Sequence, residues 1–309
     1  YNQAHVAWLV IKGLFLLALL SVWSVLLEKE RPGVVFFAFA AVAFNSTIIA
    51  DLTTGNITIV EQAFLWTAFL AFARGRLMIF AVCVAAGSFF KVTNALFLGL
   101  LFFVPSRRNL TALVAGTLGT VAPLAVSYLQ WPRLFQAFLQ NANVLADPLE
   151  RGAKNPCLSA FLLSAAEVLK DTTGWEISPW AIALVFGIHA VLALAITATV
   201  IRRYLALQRE DRYLVALSLA CLVYPLVVPR FKNYAFIQLI PPAYVLLRRL
   251  GTGRLEVALL AFVVTVPTFT LLGKLQPLAE YYLVFVSYGL WIWMLLTVRE
   301  WLRGDVASV

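Results

Sequence analysis

The sequence predicts an all-α polytopic membrane protein of about nine transmembrane helices plus a re-entrant helical hairpin. Three observations carry that expectation. The chain is 62% apolar and 13% charged, with mean hydropathy +0.88, and it repeats apolar runs of about 17 residues or more, which read as membrane spans. Its basic residues collect in short turns between those runs, as the positive-inside rule expects of cytoplasmic loops. The third observation is the stretch 50–109, where basic turns at Arg74-Gly75-Arg76 and Arg107-Arg108 bound an apolar run of only about 30 residues. If both turns are cytoplasmic, that run enters and leaves by one face. A full crossing takes roughly 20 residues of helix, so two do not fit. A hairpin of two half-helices does, with Lys91 and Asn94 at its tip. Residues 77–90 as helix rise about 21 Å, which carries the tip deep into a hydrocarbon core of roughly 30 Å. An irregular, charged tip survives there only beside protein or a wet cavity.

The elements follow in order. Span one covers 6–27 and ends at Glu28-Lys29-Glu30-Arg31-Pro32; span two covers 34–50 and span three 56–73. After the hairpin, span four (110–129) is interrupted by Pro123. One long loop, 130–178, carries apolar residues at helical spacing in 133–144 (Leu134, Phe135, Phe138, Leu139) and again in 155–169 (Leu158, Phe161, Leu162, Val168). Both patterns suit helices lying along the interface, flanking Asp147-Pro148-Leu149-Glu150-Arg151. Spans five (179–201), six (213–229), seven (234–247), eight (255–272) and nine (281–298) complete the chain as a single transmembrane domain, 1–309.

With the first residue, Tyr1, outside and the last inside, 15 of the 24 Lys and Arg fall in cytoplasmic turns and seven outside, leaving Lys12 and Lys91 within the membrane. The net charge of +9 therefore sets topology and does not argue for nucleic acid. Three cysteines, two of them in spans, make no disulfide framework, and two lone histidines make no metal centre. No cofactor is expected. The outer cations are Arg133, Arg151, Lys154, Lys170, Arg230, Lys232 and Lys274. A translocated face has no topological reason to gather cations, so they read either as a site for an anionic partner or as headgroup contacts.

Lys91 is the foremost single residue: a cation at a re-entrant tip for a phosphate or for pairing, since the tip falls short of the surface to which a lysine would snorkel. Thr58, Glu61 and Gln62 share one face of span three by i, i+3 and i+4 spacing, and an intramembrane carboxylate such as Glu61 needs a partner. Asn56 reads either as a helix cap or as a site residue. Arg230 and Lys232, followed by Asn233 and Tyr234, flank an aromatic at a helix end and suit either a lipid phosphate or plain interfacial anchoring. His189, alone in span five, reads as an interhelical hydrogen-bonding residue.

Several of these motifs are familiar in order. Gly55-Asn56-Ile57-Thr58, the Ala73-Arg74-Gly75-Arg76 turn, Gly87 with Lys91 and Asn94, Pro105-Ser106-Arg107-Arg108, and later Pro229-Arg230-Phe231-Lys232-Asn233-Tyr234 with Pro241-Pro242 resemble glycosyltransferase family 87 across essentially the whole chain. The resemblance implies a GT-C fold and an enzyme that takes sugar from a polyprenyl-phosphate donor at the outer face for a glycan or glycolipid acceptor. Asn56 and Thr58 stand where the family usually has Gln and Asn, and Asn233 and Tyr234 where mannosyl-transferring members tend to have Asp and His. The family's catalytic Asp lies in a first outer loop after a first span. This chain starts at Tyr1, before what looks like the second span, so that segment is expected to be missing and the true general base to lie upstream of Tyr1. Asp51 or Glu61 would then be second-best candidates for the base. Lys91, Asn94, Arg230, Lys232 and Tyr234 are the candidates for donor phosphate, with Asn56, Thr58, Gln62, Arg151 and Lys154 lining the site. Two rivals stand beside this reading: a lipid or small-solute transporter or flippase, for which broken helices are also characteristic, and an inactive scaffold of the same fold.

Overall fold

In a bilayer only a helix or a closed barrel satisfies its own backbone, so long apolar runs fold as helices. The computed structural model describes residues 2–30, 32–104, 107–142, 151–207, 209–249, 264 and 278–307. Among the described residues every regular element is helical. Five helices are long and apolar enough to cross a membrane: Gln3–Leu26, Val34–Thr54, Arg108–Gln130, Pro179–Ala206 and Tyr282–Arg303. Tyr1, nearly all of span eight in the sequence reading and the segment 147–150 lie outside the described residues. The chain divides into two compact units.

Unit 1 holds α1 (Asn2–Leu26), the second part of α2 (Val34–Thr54), α3 (Thr58–Ala73), α4 (Leu77–Ser88), a 3₁₀ helix Val92–Phe103, α5 (Arg107–Gln130) and α6 (Pro132–Ala142), with residues 209–214. The hairpin has the expected two arms, and each packs on α5. Its second arm is 3₁₀ throughout, a longer run than that geometry usually sustains. Small residues let α4 and α5 approach closely, as membrane helices do without a hydrophobic drive between them. A Cβ built on Gly119 would lie 3.0 Å from the Ala85 Cβ, and one on Gly116 would lie 3.2 Å from the Ala81 Cβ. A train of aromatic contacts ties α1, α3 and the hairpin: Trp23 to Trp66, Trp66 to Phe69, and Phe69 to Phe97, at 5.9, 5.1 and 5.0 Å between ring centroids. α6 lies where the first interfacial helix was expected, with Leu134, Phe138 and Leu139 exposed.

Unit 2 holds the first part of α2, a 3₁₀ turn Gly152–Lys154, α7 (Leu158–Thr173), α8 (Pro179–Ala206), most of α9 (Arg212–Val227), a 3₁₀ helix Asn233–Leu239, α10 (Ile240–Arg249) and α11 (Tyr282–Ala307). Ser178 caps α8 by accepting the Ala181 N–H at 3.2 Å, and Pro179 fits the first helical position, where no N–H is needed. The sequence reads span seven as one helix from 234. In the structure it is 3₁₀ to Leu239 and α only from Ile240, because Pro241 and Pro242 have no N–H to donate and fit only a first turn. His189 bonds the Tyr288 hydroxyl through Nε2 at 2.7 Å, and Trp291 donates to Thr197 at 2.9 Å, so α8 and α11 are joined by the interhelical bonds expected of His189.

α2 is interrupted where the sequence predicts an unbroken span. Helical dihedrals fail at 43–46, with positive φ at Phe44, Asn45 and Ser46. Asn, Ser and Thr side chains compete with helical backbone bonding, and here Thr47 bonds the carbonyls of Asn233 and Tyr234 at 3.0 and 3.1 Å while Phe44 is buried against Phe236.

Candidate functional site

In unit 1 a polar cluster is buried among α1, α2, α3 and the hairpin. α3 starts without a side-chain cap of its own, because Ile57 occupies the cap position. Asp51, from the last turns of α2, takes over: its Oδ2 accepts the Ile59 N–H at 3.3 Å. The same oxygen lies 3.1 Å from the Lys12 Nζ, which also donates to the Asp51 carbonyl. Both side chains are wholly buried, so the pair takes a charge from α1 and a charge from α2 out of solvent together. Asp51 Oδ1 has no hydrogen-bond partner among the described residues.

One turn into α3, Glu61 is buried and accepts from the Asn94 amide at 2.9 Å. Asn94 also donates to the Gly87 carbonyl at 3.2 Å, which fastens the start of the 3₁₀ arm to the end of α4. Lys91, half-buried at the turn between the arms, is the principal positive charge acting on Glu61, with Asp51 opposing it. The hairpin turn and the polar face of α3 are therefore one arrangement. Gln62 is completely buried, and neither of its amide atoms finds a partner among the described residues. An amide left so in an apolar frame is a place for a water or a ligand polar group. Thr58 is buried beside Asp51, whereas Asn56 sits half-exposed and bonds Thr54 at 2.6 Å. The cap is Asp51, and Asn56 does not fill that role.

In unit 2 a second cluster joins two segments far apart in sequence. Asn155 Oδ1 accepts the Phe231 N–H at 2.9 Å, and the Cys157 thiol and Ser159 hydroxyl both donate to the Pro229 carbonyl, at 3.2 and 2.5 Å. Phe231 is buried against Tyr224 and Phe236. Its neighbours Arg230 and Lys232 are each half-buried. The Asn155 bond sets the segment that carries them beside the backbone next to exposed Lys154. Arg151 is pinned by Glu167 at 2.7 Å, and the Gly152 N–H donates to the Tyr281 hydroxyl at 3.1 Å. Tyr234 is half-buried and its N–H donates to Asn233 Oδ1 at 2.8 Å.

The predicted site residues thus fall into two groups. Asp51, Thr58, Glu61, Gln62, Lys91 and Asn94 cluster in unit 1, with Asn56 at the margin; Arg151, Lys154, Arg230, Lys232 and Tyr234 belong to unit 2. The expectation of a base upstream of Tyr1 falls outside the described residues, which begin at Asn2. Sequence reasoning set Lys12 in the membrane without giving it a partner, although an ammonium inside an apolar span is itself a signal that one exists. It also passed over Asn155, which has no sequence signature. No group of three or more His, Cys, Asp or Glu among the described residues is arranged to hold a metal ion. Among known families, glycosyltransferase family 87 matches residues 1–229, from Tyr1 to Pro229, which takes in the whole unit 1 cluster. No curated protein and no solved structure matches the chain.

Proposed function

Because the chain belongs to glycosyltransferase family 87, and is thus a membrane glycosyltransferase, we propose that it draws sugar from a polyprenyl-phosphate donor. The acceptor is an envelope glycan or glycolipid, and the sugar is a hexose, mannose among them, or a pentose. The reaction runs at the extracytoplasmic face of the plasma membrane, with the C-terminus in the cytoplasm. One observation supports the donor class most directly: the Asn155–Phe231 bond holds Lys154 beside the strand-like segment that carries Arg230 and Lys232. Guanidinium and ammonium groups on one short stretch suit a phosphate.

In the transfer, the bond between the anomeric carbon and the phosphate oxygen breaks, and the electron pair stays on the lipid phosphate. Fixed cations stabilise that developing charge. The acceptor hydroxyl oxygen forms the new bond, and its proton passes to a carboxylate. Among the described residues Glu61 and Asp51 are the buried carboxylates on offer, Glu61 in the more suitable state because Asp51 is committed to Lys12 and to the start of α3.

The test is turnover of the full-length protein in lipid nanodiscs with a panel of polyprenyl-phosphate sugars, read as loss of donor. Arg230→Gln with Lys232→Gln should lower kcat/KM by about 10²-fold, as loss of charge-stabilising donors does. Absence of turnover with every donor in the panel refutes the donor class.

A further inference from the structure

At the end of the hairpin away from Asn94, unit 1 has an open cavity of about 590 Å³. Arg76 and Arg108 line it, one from each basic turn, together with Thr111 and Tyr213. The positive-inside rule explains why those turns are basic, but not why two guanidinium groups from separate turns face one concavity. Three further features converge there. The first turn of α4 (Leu77, Met78, Ile79) lies in the wall, and Arg108 and Thr111 in the first turns of α5 lie there too, so two helix N-termini bring their positive dipole ends to the same place. Neither helix has a carboxylate in its first turn, and the cap position of α4 is Arg76, whose side chain makes no capping bond. A third guanidinium adjoins a lining residue: Arg212 donates to the Tyr213 hydroxyl at 3.5 Å and lies over its ring. Of the two carboxylates just before Arg212, Asp211 is engaged by Arg209 at 3.4 Å and Glu210 by Lys29.

We propose that this cavity binds the headgroup phosphate of an anionic membrane lipid, at a site separate from the sugar-transfer chemistry. The guanidinium forks match phosphate oxygens, and helix N-termini are ready-made for anions. The remaining wall decides between a lipid and free phosphate. Phe72, Met78, Ile79 and Val104 line the same cavity, with Met78 and Ile79 well exposed, and an acyl chain covers such a surface where a bare anion leaves it wet.

The experiment is native mass spectrometry of the full-length protein in detergent with added phosphatidylglycerol, phosphatidylcholine or inorganic phosphate. The wild type should retain phosphatidylglycerol and not phosphatidylcholine, and inorganic phosphate should not displace it. Arg76→Gln with Arg108→Gln should weaken retention about tenfold. Arg76→Lys with Arg108→Lys keeps the topological charge but removes the planar fork, so it should weaken retention several-fold while the protein inserts normally. Equal retention of both lipids overturns the proposal, and so does full retention by the glutamine variant. Displacement by millimolar inorganic phosphate overturns the lipid assignment. Donor turnover is measured on the same variants and should be unchanged, so failure of this site and failure of the transferase reading give different results.

Discussion

A buried ammonium gives up most of its hydration, so Lys12 is tolerable because the Asp51 carboxylate stands 3.1 Å away. Lys12→Met alone leaves an unmatched carboxylate in the interior and should cost about 3–5 kcal/mol. The double variant Lys12→Met with Asp51→Leu should recover most of that loss and stay about 1 kcal/mol short, the usual cost of a lost helix cap, because the Ile59 N–H is then left open. Thermal unfolding in detergent reads both numbers. Glu61 offers a cleaner separation of charge from structure. Glu61→Gln keeps an oxygen that accepts from Asn94, so the fold should persist with little change in stability. The charge answering Lys91 disappears, and donor turnover should fall at least 10²-fold if Glu61 takes the acceptor proton. A Glu61→Gln protein of full activity removes Glu61 from the mechanism. At this scale the sequence was informative where a polar residue broke an apolar pattern, as at Glu61, Lys91 and Asn94. Asp51 was legible as polar, but its partner was not, since nothing in local spacing ties it to Lys12 on another helix.

Helices were legible for a related reason: apolar length and end signals are local. Ser178-Pro179 marks the start of α8, and the spacing of Leu134, Phe135 and Phe138 marks α6. The 3₁₀ arm Val92–Phe103 and the interruption of α2 at 43–46 were not legible, because packing partners from elsewhere in the chain decide them. The close approach of α4 and α5 gives a test of the first arm. Gly119→Leu has to fit a side chain where even a Cβ meets Ala85 at 3.0 Å, and should cost about 1–3 kcal/mol in thermal unfolding. Gly187→Ala in α8, where a Cβ meets nothing within 4 Å, should instead be neutral or stabilising by up to about 1 kcal/mol. Equal effects at the two positions would mean that α4 and α5 do not touch as described.

For the whole molecule, the all-α membrane fold follows from composition alone, since no other reading accommodates 62% apolar residues in repeated runs. Five described helices have full crossing length; of the shorter apolar ones, Leu77–Ser88 and Val92–Phe103 are the two arms of the hairpin, and Thr58–Ala73 and Arg212–Val227 stand where the sequence reads spans three and six. The hairpin makes a prediction about sidedness. Single cysteines placed at Arg74 and at Arg108, in a background with Cys83, Cys157 and Cys221 replaced, should label from one side of sealed vesicles. Labelling from opposite sides would make the run between them a crossing segment and would end the re-entrant reading. The pairing of Lys12 with Asp51 has a further consequence, for biogenesis. Synthesis delivers the chain from its N-terminus, and 39 positions separate the two residues. When α1 enters the translocon it therefore carries an ammonium whose counter-charge has not yet reached the membrane. Release of α1 into lipid is favoured only once the second helix arrives, so the two leave the insertion machinery as a couple.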